Sequence, residues 1–564
     1  MKSLIFTMIL SLNLIVVSGQ IFTQSVTDES ITITPRGIQS KLPNNLAETN
    51  TGLGNSVLRN LNTGIQNNSA FGNNVLKLNT SGSENTGLGA NVLSNNSLGS
   101  NNIAIGSDAL ESNTEGSNNT AIGNGAMLFN VANNRSTAIG YAAMRNTDNR
   151  TVGRSTYNTA VGTYALNGST TPSNNTGQYN TAIGDESMTN NTSGFHNSAL
   201  GFRSLLNNST GTENVALGSF SLSANLDGVS NTGIGVLTLT SNTSGDHNVA
   251  VGRDALYYNT TGSSNVSMGH QSLFSNKANI GSIAIGQYAM QYADDRTTGR
   301  FTYNTAIGHS ALRGSTTAAN NTGQSNTAMG YETLKNNSSG NQNSTLGVNT
   351  LISNTTGSQN TVLGYEAGFT NITGSRNVFI GYQAGYNHDA NDLLVIENSS
   401  GNRALIRGDF AGDKVGINRL KNEIDSRTET LQVEGEAFKT TGTGNWIIPS
   451  DKRLKENIVY LNSQETLNKV LNMRGVSYNW IDKSRGKEKV FGFIAQDLQQ
   501  IFPENIKTDK EGYLSASYGA YDPMLVESIK ALKELIDIQK EEIKMLKERM
   551  GKQAYEIERL KAGL

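Results

Sequence analysis

The sequence predicts a mainly β chain: a long parallel β-roll solenoid, a β-rich neck, a small α+β module and a C-terminal helix. Three observations carry this expectation. A short motif ending in Gly recurs 19 times between residues 50 and 386, the 564 residues include 60 Gly but only 16% charged residues, and the repeat gives way to a charged, aromatic segment at residue 450. Such self-similarity at a fixed period marks a stack of identical units rather than ordinary globular domains.

The N-terminus carries Lys2, an apolar run from Leu4 to Val17, then Ser18 and Gly19. This is the order of charge, short apolar core and small residues found in a secretory signal peptide. Residues 1–19 are therefore expected to be removed, leaving 20–49 as an N-terminal segment of a protein that is secreted or held on a bacterial cell surface. No later window is long and apolar enough for a membrane helix, so no transmembrane segment is expected in the mature chain. A net charge of −2 leaves no basic footprint for nucleic acid, and the absence of Cys excludes disulfides and thiolate metal sites.

Within the repeat, residues 50–386, the recurring unit has the form Asn-Thr-Ala-Ile-Gly and closes on Gly54, Gly72, Gly89 and so on to Gly381. Spacing is 17 residues almost throughout, with one of 18 and four of 22. The long spacings come in two pairs 146 residues apart, and Arg154-Ser-Thr-Tyr-Asn-Thr-Ala-Val-Gly nearly repeats as Arg300-Phe-Thr-Tyr-Asn-Thr-Ala-Ile-Gly, which marks duplication of a larger block.

The residue before the Gly is always apolar, and the residue four after it is Leu or Met in the first 17 copies. Two apolar residues cannot close a core alone, but stacked on identical neighbours they would form two continuous columns. The residue four before the Gly is Asn in 17 copies and Ser at Ser136 and Ser282. An Asn at a fixed corner can hydrogen-bond along the stack and tolerates left-handed backbone. Nineteen rungs at about 4.8 Å each would make a roll on the order of 90 Å long, with the five-residue additions bulging from one side.

This pattern resembles the YadA-like head repeat of trimeric adhesins, whose units carry the same Asn-Ser/Thr-x-Ala-Ile-Gly core. The resemblance implies a left-handed parallel β-roll with three chains packed side by side. The period here is longer than in that family, so longer loops are expected.

His196 and His247 share a column three rungs apart, but no carboxylate recurs with them, so they read as solvated corners and no metal site or cofactor is expected. Paired carboxylates do not recur at facing positions either, which leaves a glycosidase groove without support.

Residues 387–449 read as a β-rich neck of short strand-like runs near Leu393, Ala404, Lys414 and Thr430, separated by Gly, Asn and Asp turns. At Ser450 the chain becomes Ser-Asp-Lys-Arg-Leu-Lys-Glu-Asn-Ile, followed by Tyr478-Asn-Trp, Phe491-Gly-Phe-Ile-Ala-Gln-Asp, Phe502-Pro-Glu, Gly512-Tyr-Leu and Tyr518. This ordered set resembles the endosialidase-type intramolecular chaperone found at the ends of phage tail spikes and bacterial fibre proteins.

The resemblance implies that residues 450–524 trimerise the fibre and then release themselves by a cut between Pro449 and Ser450. Ser450 would be the nucleophile and Lys455 the general base, which requires a Lys that can give up its proton, with Lys452 and Arg453 near enough to assist. Against this stands the plainer reading that Ser450 caps a helix and the basic residues are solvated. Five residues along a helix is about 500°, so Ser450 and Lys455 would not share a helical face.

The last segment, residues 525–564, carries Ile529, Ile536, Ile543, Met550 and Ile557 at a positions, with Leu532, Gln539, Leu546, Gln553 and Leu560 at d. Ile at a with Leu at d favours two strands in isolated coiled coils, yet Gln at two d layers weakens that rule. Both resemblances imply three chains, so a trimeric coiled coil is expected.

The functional expectation is thus an exported homotrimeric surface fibre of adhesin or tail-fibre type with its own chaperone. Its partners would be its own copies and a host-surface or glycan receptor. Enzymatic activity would extend at most to Ser-Lys self-cleavage. The competing expectation is a hydrolase acting on external peptide or glycan substrates.

Overall fold

The computed structural model describes residues 31–34, 37–40, 50–62, 64–426, 430–434, 451–481, 488–508, 512–516 and 521–563. The expected signal peptide at 1–19 lies outside these residues. The chain divides into two compact units between Gly401 and Asn402.

Within the first unit, Ile31–Thr34 pairs antiparallel with Gly37–Ser40. From Thr51–Asn55 to Leu393–Ile396 there follow twenty described strands, each pairing in parallel with the next. The fold is a β-solenoid with one short strand per turn. Register is set by the repeat: Thr120, Ala121 and Ile122 face Thr137, Ala138 and Ile139. It survives the 22-residue spacing, where Thr137 faces Thr159, so the five added residues leave the ladder as bulges. The last strand, Leu393–Ile396, lies beyond the Gly-bearing repeats yet pairs with Val378–Ile380 in the same sense.

Side-chain direction corrects one expectation. The Leu or Met four after the Gly is buried, as at Leu93, Met127 and Leu222, but the apolar residue just before the Gly is not: Leu88 and Leu200 are each 48% exposed. The reason is the period of two along a strand. Because Ala104, Ala121 and Ala216, two before the Gly, point inward and are buried, their neighbours Ile105, Ile122 and Leu217 must point out. The inner columns are therefore Ala and Leu, and the outer strand face is an apolar stripe.

A second correction concerns the corner Asn. Left-handed backbone falls on the residue before it, as at Asn118 (φ 60°), His196 (φ 57°) and His247 (φ 56°), and again on the buried Leu and Met, as at Leu222 (φ 52°). Holding Leu there costs about 1–2 kcal/mol, which the roughly 1.5–3 kcal/mol from burying its side chain offsets.

The corner Asn instead makes a closed ladder. The backbone N–H and Nδ2 of Asn214 both donate to Asn197 Oδ1 (3.0 and 3.2 Å), Nδ2 also donates to Gly228 O (2.8 Å), and Asn214 Oδ1 accepts from N and Nδ2 of Asn231 (2.9 and 3.2 Å). Both donors and both lone pairs of a buried amide are thereby used.

A second ladder, seven residues after most of the Gly, runs through Asn79, Asn96, Asn113 and Asn130 with Nδ2 to Oδ1 distances of 2.7–2.9 Å. The two ladders meet on one carbonyl: Gly228 O also accepts from Asn225 Nδ2 at 3.1 Å. A Cβ on Gly228 would sit 2.5 Å from Asn225 Oδ1, so most rungs place Gly there, with Asn133 and Asn279 among the exceptions, and one on Gly123 (φ 134°) would sit only 2.2 Å from Gly140 O, in a column that is Gly throughout.

The roll closes with a coupled change. The inward small residue grows through Thr345 and Val362 to Phe379, fully buried, while the Leu column becomes Gly368 and Gly385. A Cβ on Gly385 would lie 2.7 Å from the Phe379 ring, so the ring occupies the room that the missing Leu side chains leave. Asp389 then takes N–H bonds from Ile372, Thr373 and Gly374 (2.8–3.1 Å). Burial resists ionisation of Asp389, but these backbone donors outweigh it and hold the carboxyl below its usual range.

Candidate functional site

The second unit, Asn402–Leu564, contains the residues expected to carry chemistry. It opens with Ala404–Asp409 antiparallel to Lys414–Arg419, which pairs in parallel with Leu431–Val433, and a short helix α1, Lys421–Asp425. These strands fall at the Ala404, Lys414 and Thr430 runs.

Pro449 and Ser450 lie outside the described residues. Immediately after them comes a single 3-10 turn, Lys452–Leu454, with Asp451 as its N-cap accepting from Arg453 N at 2.8 Å. A 3-10 turn followed by extended Lys455 (φ −126°, ψ 140°) replaces the helix that the plainer reading of Ser450 supposed. Asp451 also takes the Arg453 guanidinium at 2.6 Å, and that hydrogen-bonded pair holds its carboxyl below the usual range. Arg453 is thereby committed to Asp451. The Lys455 N–H donates to Lys452 O (3.2 Å), and its side chain is exposed.

The aromatic motifs build one small core. Helix α2, Ser463–Leu471, starts at Asn462, whose side chain accepts from Glu465 N at 2.9 Å. Gly475–Tyr478 then pairs antiparallel with Val490–Phe493, leading into helix α3, Ala495–Ile501. Pro503 opens the next 3-10 turn, and Ile506–Thr508 pairs with Leu514–Ala516.

Leu498, Phe502 and Tyr521 are buried together, with Met473, Phe493, Ile501, Ile506, Ala516 and Met524 packed on them. Phe502 is thus the centre of the module. Phe491, on the same strand as the core residue Phe493, is 80% exposed, and Tyr478 meets Trp480 edge to face at 5.4 Å. Tyr518 lies outside the described residues.

Helix α4 runs from Asp522 to Lys561, 40 residues and about 60 Å. Its first turns are held to α2: Ser463 Oγ donates to Glu527 Oε2 at 2.7 Å, Thr466 and Leu467 are buried on α2, and Ser528 and Ala531 on α4. Sequence reasoning missed this tie, because one Ser and one Glu 64 residues apart carry no periodic signal. Further along, Ile529, Ile536, Ile543, Leu546 and Leu560 are exposed in the single chain. Lys533 pairs with Asp537, and Lys544 with Glu541 at 3.8 Å. No helix among the described residues is long and apolar enough to cross a membrane.

Comparison with known proteins adds two findings. Residues 450–507 match the family described as chaperone of endosialidase. The chain is also similar to uncharacterized protein VP1 of Micromonas pusilla reovirus (isolate Netherlands/2005), 30% identical over 121 residues. That stretch is 21% of this chain and 6% of the viral protein's length.

Proposed function

We propose that the chain is an exported, homotrimeric fibre of the tail-fibre or surface-adhesin kind, with a YadA-like left-handed roll as its shaft and residues 450–564 as its intramolecular chaperone. The single observation that carries this reading is the match of residues 450–507 to the chaperone family, in a chain whose preceding repeats form a solenoid.

Two surfaces fit self-association. The outer strand face of the roll presents Leu88, Ile139, Leu200, Leu217, Leu346 and Leu363, each 37–51% exposed, along one line of the stack. A continuous apolar face of this kind calls for a partner. The a and d residues of α4 form a second exposed stripe, where three copies would bury Ile529, Leu532, Ile536 and Ile543 as coiled-coil layers.

The chaperone solves a register problem. Parallel rungs with the same side chains every 17 residues can pair one rung out of step at little energetic cost, whereas an aperiodic C-terminal module aligns three chains in one way. Self-release belongs to the same reading. Ser450 Oγ attacks the Pro449 carbonyl carbon as its proton passes to Lys455, the C–N bond breaks with the proton returned to the new amine, and water hydrolyses the resulting ester.

Deleting residues 450–564 is the test. The truncated chain is expected to accumulate as insoluble or heterogeneous roll, and a soluble, uniform trimer without those residues would refute the chaperone role. Mass spectrometry of the full chain tests the cut: fragments meeting at Pro449 and Ser450, lost in Ser450→Ala, are expected.

A further inference from the structure

The second Asn ladder has two gaps, at the same point of the duplicated block. It runs to Asn130, where the residue one rung on is Thr147, resumes from Asn191 to Asn276, where the residue one rung on is Ala293, and resumes once more from Asn337. The second ladder has a direction, because within each run Nδ2 donates back to the Oδ1 of the rung before, as Asn96 does to Asn79 and Asn225 to Asn208. Asn130 Nδ2 is committed to Asn113 Oδ1 (2.8 Å) and Asn133 O (3.2 Å), so its amide cannot be turned, and its Oδ1 faces the gap with no hydrogen-bond partner among the described residues. Asn276 Oδ1 is left bare in the same way.

Three residues on, Asn133 Nδ2 is fixed by Asp148 O at 2.7 Å and Asn279 Nδ2 by Asp294 O at 2.7 Å, so Asn133 Oδ1 and Asn279 Oδ1 are bare as well. Thr147 Oγ1 is a fifth unpaired polar atom. All four Asn residues are at least 98% buried.

A cavity opens at each gap. One of about 20 Å³ is lined by Asn130, Asn133, Thr147 and Asp148, among others, and one of about 30 Å³ by Asn279, Ala293 and Asp294. Either holds a water, which needs about 10–15 Å³ and two to four polar partners. Leaving a buried carbonyl oxygen unpaired costs about 1–3 kcal/mol.

The charge around the cavities selects the ligand. Asp148 is paired with Arg150 (2.5 Å) and Arg154 (3.3 Å), and Asp294 with both Arg296 and Arg300, two guanidinium groups to each carboxylate. Burial works against ionisation of Asp294, but the bonds from Arg296 and the charges of Arg296 and Arg300 keep it ionised. The local balance is positive, which disfavours a cation among the bare oxygens. In the first cavity the bare Asn130 Oδ1 and Asn133 Oδ1 accept the two donors of a neutral group, and in the second the bare amide oxygen on the wall is Asn279 Oδ1.

We propose that each cavity binds ordered water that donates to Asn133 Oδ1 or Asn279 Oδ1 and bridges the broken ladder in place of the amide that positions 147 and 293 lack. In the first cavity Thr147 Oγ1 can donate to the same water, which gives it a third partner. These waters let the 22-residue rungs enter the roll without orphaning its buried amides.

The test is a crystal structure of the full chain at a resolution that shows solvent, with a second structure of the Thr147→Asn, Ala293→Asn variant. The parent is expected to show one density peak in each cavity, within about 2.7–3.2 Å of Asn133 Oδ1 or Asn279 Oδ1, the distance of a hydrogen bond. In the variant the new Nδ2 groups should replace both peaks. Dry cavities in the parent overturn the proposal, and so does a peak with five or more oxygens at about 2.3–2.6 Å, the signature of a cation. The parent structure alone decides between these outcomes if the variant fails to fold.

Discussion

The roll and the C-terminal module solve the problem of burying a core in opposite ways. In the roll no unit owns an interior: Leu222 is covered by the rungs before and after it, and each Asn amide is satisfied one rung away. In the module Leu498, Phe502 and Tyr521 meet only once, in a core whose members between Met473 and Met524 follow no repeat. The difference teaches where assembly information can reside. A periodic stack specifies contacts but no unique alignment, and the aperiodic module specifies an alignment.

The largest effect that can break this comparison is expected from Asn214→Leu. It strips Asn231 N of its acceptor, takes one of two acceptors from Asn231 Nδ2, which keeps Gly245 O, and leaves Asn197 Oδ1 and Gly228 O with one donor each. The stranded N–H costs about 1–3 kcal/mol and each of the three other lost bonds about 0.5–1.5 kcal/mol, so together the loss should match or exceed that of an apolar truncation in the roll. Thermal unfolding checks this, and a Tm within a degree or two of the parent would mean the ladder contributes little.

Next in size is a matched pair of cavities. Leu222→Ala in the roll should cost about 2–5 kcal/mol and Phe502→Ala in the module about 3–5 kcal/mol. Their consequences should differ: Leu222→Ala lowers the Tm of an assembly that still forms, whereas Phe502→Ala reduces the yield of assembled protein. Equal effects on yield would erase the distinction between the two units.

The smallest effect is electrostatic. The carboxyls of Asp294 and Asp389 sit below their usual range in the folded chain, so their stabilisation is complete above the unfolded carboxylate pKa of about 3.9 and is lost as pH falls through the depressed folded values. Thermal unfolding of the parent should therefore weaken below about pH 4. Asp389→Asn should show a lower Tm at neutral pH and a flatter acid limb, and an unchanged acid limb would count against the assignment.

Much of the roll was legible because its period is legible. The Gly column, the corner Asn and the buried Leu column all follow from residues recurring every 17 positions. The misassigned outer column came from treating every apolar residue as interior, although Ala121 and Ile122 are adjacent on a strand and only one can face inward. The small Ala was the better marker of the core. The second Asn ladder was equally periodic, at Asn79, Asn96 and Asn113, but masked by the many other Asn residues around it.

The neck strands and the start of α4 near Pro523 were readable from turn residues and heptads. The core of the module was not, since nothing local in Phe502 or Tyr521 announces that they touch, at 5.4 Å between ring centroids. The Ser450 and Lys455 pair rested on resemblance, and periodicity has nothing to say about it.

The molar mass of the purified full-length protein in solution, measured by light scattering, tests the central claim most directly. A uniform species of three chains is the predicted result. A monodisperse single chain, with the apolar strand face and the α4 stripe both open to water, would contradict it.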